Sequence, residues 1–437
     1  MKALLAHYLQ RGKVLLLGFG REGQSTYRYL RHHFPNLPLA IADLSENPDL
    51  TIAEGDKNLT LHLGKNYLDA IEEYDVIIKS PGVQLRSHQH ILRGKTLLSQ
   101  AGLFLESYGR QIIGITGTKG KSTTSSLIFH ILNEAARDAL LVGNIGKPAF
   151  DFINKINEET MIVFELSAHQ LEYVHHAPHI AILLNLFEEH LDYFGGMDAY
   201  MHAKMNITRY QRPGDYLVFD KENERTNHQL KLLAPTTHFH PLKISEAEGY
   251  QTSALAGRHN KKNIAAARQA CRLAGITESE IDSAIKTFKA LEHRLEWVGN
   301  FCGRDFYNDS ISTIPESAME AVKTIEKTYM LILGGFDRGI NYDSLVRFLA
   351  KSQVQLLLFT GDAGWRMARL FAPFCRIDQQ VVVAENFTEI ARYFSRIPPG
   401  RACLLSPAAS SYDEFANFEE RGKAYKKMAE NFGASCH

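Results

Sequence analysis

The stretch QIIGITGTKGKSTTSSLIFHIL, Gln111 to Leu132, decides how this chain is read. An apolar run ends in a loop with two glycines, and Lys-Ser then opens an amphipathic segment. The pattern predicts a strand, a tight turn and a helix. Gly117 and Gly120 let the backbone turn its N–H groups inward, with Thr118 and Thr123 in the same turn. Lys121 can reach terminal phosphates, Ser122 can ligate Mg2+, and the helix presents its positive end. The general phosphate-loop pattern G-x-x-x-x-G-K-[ST] is incompletely matched, because Ile115 stands where its first glycine belongs. A plain strand–turn–helix corner is the alternative. Gly-Lys-Ser in register between a strand and a helix favours nucleotide binding.

Two later stretches strengthen this reading. MIVFELSAHQLE, from Met161, is an apolar strand ending in Glu165, which could set a carboxylate beside a cation held by Ser122. LLNLFEEHLDYFGGMDAYMHAKMNI, from Leu183, is a strand, a loop with Glu188, Glu189, His190 and Asp192, and a helix carrying Lys204. A lone histidine after a strand is more often a structural hydrogen-bonder; the cluster at the carboxyl end of one sheet gives His190 more weight. Earlier, LLLGFGREGQS places Gly18, Gly20 and Gly23 in G-x-G-x-x-G spacing, with Phe19 between the first two. Asp43 follows at the end of LAIADL. Alone, this loop suits a dinucleotide such as NAD, or a structural turn.

Short apolar runs alternate with helical patterns along most of the chain. KVLLLGFG, LAIADL and DVIIKSPG are followed by QIIGITG, MIVFELS and IAILLNL, then by YMLILGG, VQLLLFTG, VVVAEN and ACLLSP. Such runs read as strands buried on both faces of a parallel sheet. The expected fold is α/β in three domains. Residues 1–109 form a Rossmann-like domain, 110–291 a central phosphate-loop domain with a mainly parallel sheet, and 292–437 a second Rossmann-like domain.

The 437 residues suit several domains, and 45% hydrophobic with 22% charged residues suits a globular protein. Formal net charge is zero, which offers no basic field for nucleic acid. Cys271, Cys302, Cys375, Cys403 and Cys436 lack metal-like spacing and are expected to be inert thiols of a reducing cytosol. The opening MKALLAHYLQRGK is too short and polar for a signal peptide, and no run approaches the ~18 apolar residues of a membrane span.

GITGTKGKSTT, GNIG (Gly143 to Gly146), ELSAHQLE, LNLFEEHLD, AYMHAK, GRHNKKNIAAA (from Gly257) and LEHRLE (from Leu291) together resemble the ordered motifs of the Mur ligases, over nearly the whole chain. These are ATP-dependent, cytoplasmic amide-forming enzymes of bacterial cell-wall synthesis, and so of cell shape and division. The resemblance implies that Lys121 holds the ATP phosphates and that Ser122 and Glu165 hold one Mg2+. It gives a second Mg2+ to His190, Glu165 and a carbamylated Lys204. Asn144 falls near the phosphates and the acyl substrate, Asn260 and Asn263 on the adenine side, and Arg294 and Asp309 at further nucleotide contacts. The first glycine loop becomes a site for the UDP of a sugar nucleotide, through Gly18, Phe19, Gly20 and Asp43. KSPGV adds Ser80, Pro81 and Gly82.

LILGGFDRGINY and LLSPAASSYDEFANFEERGKAY resemble the members that add glutamate to UDP-N-acetylmuramoyl-L-alanine. This implies a glutamate pocket of Thr313, Arg338, Ser411 and Phe418. Departures are Ile311 and Arg338 where lysines are usual, and Lys119 for an asparagine; Arg and Lys are not equivalent at a carboxylate. D-glutamate is the expected substrate, with L-glutamate as the alternative. The implied reaction runs through an acyl phosphate in a monomer that binds no membrane. A phosphate-loop ATPase switch and an NAD-dependent oxidoreductase are the rivals.

Overall fold

The computed structural model describes residues 1–144, 147–233, 237–242, 255, 258–289 and 292–435. Ile145 and Gly146 of GNIG, Gly257, Leu291 and Cys436 lie outside them. Three sheets carry the fold, and helices pack on their faces. They fall into two compact units. The first holds Met1–Tyr250 and Arg258–Thr287, and the second holds Gln251–Gly257 and Phe288–His437.

The first sheet contains β1 (Val14–Leu17), β2 (Leu39–Asp43), β3 (Leu59–Leu63), β4 (Val76–Lys79) and β5 (Thr96–Ser99) in the order β3-β2-β1-β4-β5. Every pairing is parallel. The second contains β6 (Ile112–Thr116), β7 (Ala139–Gly143), β8 (Met161–Glu165), β9 (Ile180–Leu183), β10 (Tyr216–Phe219) and β11 (His238–Pro241), ordered β11-β10-β9-β6-β8-β7 and also parallel. Strands β1, β4, β6 and β9 are buried along their whole length, which is why they are unbroken apolar runs. Each fully buried Val, Leu or Ile contributes about 1.5–3 kcal/mol.

Chain order reverses beside β1 in the first sheet and beside β6 in the second. The loops leaving β1 and β4 therefore meet at one crevice, and those leaving β6, β8 and β9 at another. Such switch points are where open α/β sheets take ligands. Four helices of this unit matter for the sites: α1 (Arg21–His33), α2 (Lys121–Glu134), α3 (Met197–Arg209) and α4 (Arg258–Leu273).

The second unit contains β12 (Glu296–Phe301), β13 (Arg304–Asn308), β14 (Thr328–Gly334), β15 (Leu356–Thr360), β16 (Gln380–Val383) and β17 (Ala402–Leu405), in the order β12-β13-β17-β14-β15-β16. β12 pairs antiparallel with β13 through a tight turn in which Cys302 and Gly303 both have positive φ, 53° and 72°. Helix α5 (Phe418–Ala434) closes the unit, with Asn417 capping it onto the Glu420 N–H.

Cys302 is disulfide-bonded, against the expectation of free thiols throughout. Scattered spacing carries no information about which thiols a fold brings together. Cys271, Cys375 and Cys403 are free. No described helix is long and apolar enough to cross a membrane.

Candidate active site

The phosphate loop leaves β6 and enters α2. Gly120 is the N-cap of α2, with a φ of 87°, and supplies no side-chain cap, so the positive end of α2 opens at the loop. Asn185, in the loop after β9, holds this turn at both ends of its amide. It accepts the Lys119 N–H at 2.8 Å and donates to the Lys119 carbonyl at 3.0 Å. Its carbonyl accepts the Thr118 N–H at 3.0 Å. Thr118 Oγ1 also lies 3.0 Å from Tyr200 Oη and accepts the Phe187 N–H at 2.9 Å. Lys121 Nζ donates to the Gly117 and Thr118 carbonyls, both at 3.0 Å, and so curls over the loop it serves.

Glu165 ends β8 fully buried. Asn144 Nδ2 donates to its Oε1 at 2.8 Å, and Ser125 Oγ to its Oε2 at 3.3 Å. The hydroxyl joined to this carboxylate is thus one turn beyond Ser122. Lys204, on α3, is 1% exposed and donates to the Gly117 carbonyl at 2.8 Å. Burial first, and the Lys121 charge second, hold its pKa well below that of an ordinary lysine. His190 follows β9 in a left-handed conformation, φ 56°, and burial lowers its pKa too.

Pro81, Gly82, Lys121, Asn144, His190 and Lys204 line one cavity of about 300 Å³. Loops of both crevices in the first unit therefore meet at one space. Among the described residues, no three His, Cys, Asp or Glu side chains are placed to hold a metal ion. Ser122, Glu165 and His190 still fit Mg2+ chemically. This hard cation takes one or two protein oxygens and completes its shell with water and phosphate. An oxygen-bearing Lys204 would enlarge the set.

Asn260 and Asn263, on α4, are joined at 2.9 Å through Asn263 Nδ2. Asn263 packs on the loop so closely that a Cβ at position 120 would lie 2.3 Å from its Oδ1. At the other crevice, Ser80 Oγ donates to the Gly18 carbonyl at 2.8 Å. Gly23, on α1, is held by packing, since a Cβ there would meet the Gly18 carbonyl at 2.1 Å. Asp43 accepts the Phe19 N–H at 2.6 Å and the Ser45 N–H at 2.8 Å, so both its oxygens already shape the turn. The Phe19 ring is buried against Tyr27, leaving only Phe19 backbone for a ligand. Gly20 and Gly82 face open space.

In the second unit, Asp309 is buried, and it accepts Ser406 Oγ at 2.8 Å and the Leu295 N–H at 3.2 Å. Burial pushes its pKa up to about 7, opposed by those bonds and by the Arg294 charge. Arg338 is exposed and donates to the Thr313 carbonyl at 3.1 Å. Ser411 is buried after β17, and Phe418 is the first residue of α5.

Lys119, the departure noted in the sequence, pairs with Glu189 at 2.8 Å beside the phosphate loop. Other residues of these sites were not singled out from sequence. Lys79, 4% exposed, donates to the Ser80 and Pro81 carbonyls at 3.3 and 3.4 Å and pairs with Glu172 at 3.5 Å. Tyr193 Oη lies 2.9 Å from the same carboxylate and 2.8 Å from the Val83 carbonyl. This network fixes the wall formed by Pro81 and Gly82. A buried lysine flanked by Ser-Pro-Gly was the available signal. His169 also lines the cavity, its ring edge-on to His190 with centroids 4.8 Å apart.

Residues 115–239 match the Mur ligase middle domain, and residues 12–95 the Mur ligase MurD-like N-terminal domain. The chain is 33% identical to the UDP-N-acetylmuramoylalanine–D-glutamate ligase of Desulfitobacterium hafniense, covering 96% of this chain and 98% of that one. It is 32% identical to the enzyme of the same name from Symbiobacterium thermophilum, over 84% of this chain and 86% of the other. The fold is shared with the MurF ligase of Thermotoga maritima, solved in complex with ADP. The TM-score is 0.60 at 15% identity, covering 98% and 96% of the two chains. The chain belongs to the Mur ligase family, in the branch of the UDP-N-acetylmuramoylalanine–D-glutamate ligases.

Proposed function

We propose that this ligase joins D-glutamate to UDP-N-acetylmuramoyl-L-alanine in peptidoglycan precursor synthesis, with ATP converted to ADP and phosphate. The carrying observation is the single cavity that gathers Lys121, Asn144, His190 and Lys204 against Pro81 and Gly82. Phosphate-binding and sugar-nucleotide-binding loops then face one space. The names of the curated relatives support D-glutamate over L-glutamate.

The acyl carboxylate attacks the γ-phosphorus of ATP, ADP leaves, and an acyl phosphate forms. The glutamate amine attacks its carbonyl carbon, phosphate departs, and the amine loses a proton. Lys121 and the uncapped start of α2 stabilise the phosphoryl charge. Asn144 orients Glu165. Ser122, Glu165 and His190 would hold Mg2+, which when bound would supply further charge neutralisation. Lys204, buried and poor in protons, adds CO2 at its amine nitrogen and releases a proton. The resulting carbamate gives two oxygens that share one negative charge on the same stem. Gly18, Gly20, Asp43 and Ser80 shape the sugar-nucleotide end, and Asn260, Asn263, Arg294 and Asp309 serve the nucleotide. Thr313, Arg338, Ser411 and Phe418 serve glutamate.

We assign residues 1–109, 110–291 and 292–437 to these three tasks, in a cytoplasmic monomer. The test is product formation from ATP and the sugar nucleotide with D- or L-glutamate supplied separately. Product with D-glutamate, and phosphate release only when all three substrates are present, are expected. Phosphate release that ignores the other two substrates would instead indicate an ATPase switch.

A further inference from the structure

Arg421 is the bulkiest fully buried side chain of the described residues, 2% exposed, on the first turns of α5. All five of its N–H donors are used, and none meets a carboxylate. Nε donates to Ser310 Oγ at 3.1 Å, and Nη2 to the Ser310 and Ala409 carbonyls at 2.9 and 3.0 Å. Nη1 donates to the Ser410 and Gly334 carbonyls at 3.2 and 3.4 Å. Among the described residues it forms no ion pair. Burying a cation against neutral acceptors is unfavourable, and burial accordingly lowers its pKa to about 10.

The acceptors have a pattern. Ser310 follows β13, Gly334 ends β14, and Ala409 and Ser410 follow β17, the strand between those two. One planar fork therefore ties together the carboxyl ends of three adjacent strands. The residues assigned to glutamate hang from the same three loops and from α5 itself: Thr313, Arg338, Ser411 and Phe418. Ser410 is followed directly by Ser411. Ser310 Oγ, which accepts from Arg421, also donates to the Phe418 carbonyl at 2.8 Å. The fit is tight, since a Cβ at Gly335 would stand 3.0 Å from Arg421 Nη1.

We propose that Arg421 is the positioning residue of the amino-acid pocket, setting the spacing of the three loops that present Thr313, Arg338 and Ser411. This rests on the glutamate reading above. A lysine cannot reproduce the effect, because its donors radiate from one atom and cannot span three loops in a plane. A fork used only to hold the fold would affect all substrates alike. A fork that sets the amino-acid pocket affects one.

Steady-state kinetics of Arg421→Lys and Ser310→Ala, with each of the three substrates varied in turn, separate these cases. Arg421→Lys should raise the KM for glutamate at least tenfold, and Ser310→Ala at least threefold. The KM values for ATP and the sugar nucleotide should stay within twofold in both. Thermal melts check folding, and Ser310→Ala, a loss of one oxygen, remains informative if Arg421→Lys does not fold. Unchanged glutamate saturation in the folded variants overturns the proposal, as does a parallel rise of all three KM values. If the wild-type enzyme makes no glutamate-dependent product, the glutamate reading itself fails, which is a distinct result.

Discussion

The amine of Lys204 donates to the carbonyl of Gly117 at 2.8 Å, so helix α3 reaches into the phosphate loop through one buried nitrogen. We predict that Lys204→Ala leaves the protein folded and almost inactive. Short carboxylic acids such as acetate should restore part of the turnover by replacing the carbamate oxygens. Undiminished wild-type turnover in buffer stripped of CO2 and bicarbonate would remove the carbamate from the mechanism.

Lys121→Ala should abolish phosphoryl transfer without unfolding the chain. Loss of one preorganised donor to developing charge costs about 3 kcal/mol or more, roughly a hundredfold or greater in kcat. Acyl phosphate formation, trapped by reduction, is the direct measurement. Near-normal trapping in the variant contradicts the assignment.

Gly120→Ala is predicted to damage both stability and ATP affinity. Position 120 has a φ of 87°, and a Cβ there would lie 2.3 Å from Asn263 Oδ1. Strained backbone of this kind costs about 1–3 kcal/mol, before any clash is counted. The double change Gly120→Ala with Asn263→Ala should recover only part of the stability, because the clash is gone but the strained backbone remains, and should not recover ATP binding. Recovery of both would mean that Asn263 has no part in holding nucleotide.

Arg338→Ala should raise the KM for glutamate at least tenfold, with those for ATP and the sugar nucleotide little changed. Arg338 is exposed, and among the described residues its hydrogen bond is to the Thr313 carbonyl, so its removal should leave the melting temperature within about a degree. If Arg338→Lys behaves as wild type, a point charge is sufficient and the planar fork is dispensable there.

Asp309 predicts a pH dependence of stability. Its folded pKa of about 7 lies above the ordinary value of 3.8. The folded state therefore binds more protons than the unfolded state between these limits, and stability falls as pH rises through that window. Asp309→Asn should flatten the fall in melting temperature between pH 5 and 8, read by calorimetry. Identical slopes in the two proteins would show that the carboxyl ionises freely in the fold.

The inner strands were legible because burial on two faces leaves an unbroken apolar run, as in β1, β6 and β9. The edges were not. β3 and β11 have no fully buried residue and lack that signature. β12 and β13 escaped notice because their hairpin turns at Cys302-Gly303 between polar, half-exposed strands. The phosphate loop and Glu165 could be placed from local pattern alone. Lys79 and Arg421 could not, since their partners lie far along the chain: Glu172 for one, Ser310 and Gly334 for the other. A sequence shows which residues can donate; only the fold shows to whom.

Asn185 has a consequence for how this enzyme could change. Its amide grips Lys119 from both sides, and its own loop runs on to Glu189 and His190. The phosphate turn and the cation side of the cavity therefore share one mechanical reference. A substitution that shifts this loop to suit a different nucleotide also shifts His190. On the roles proposed above, nucleotide preference and metal preference would be coupled traits, and variants selected for one should drift in the other.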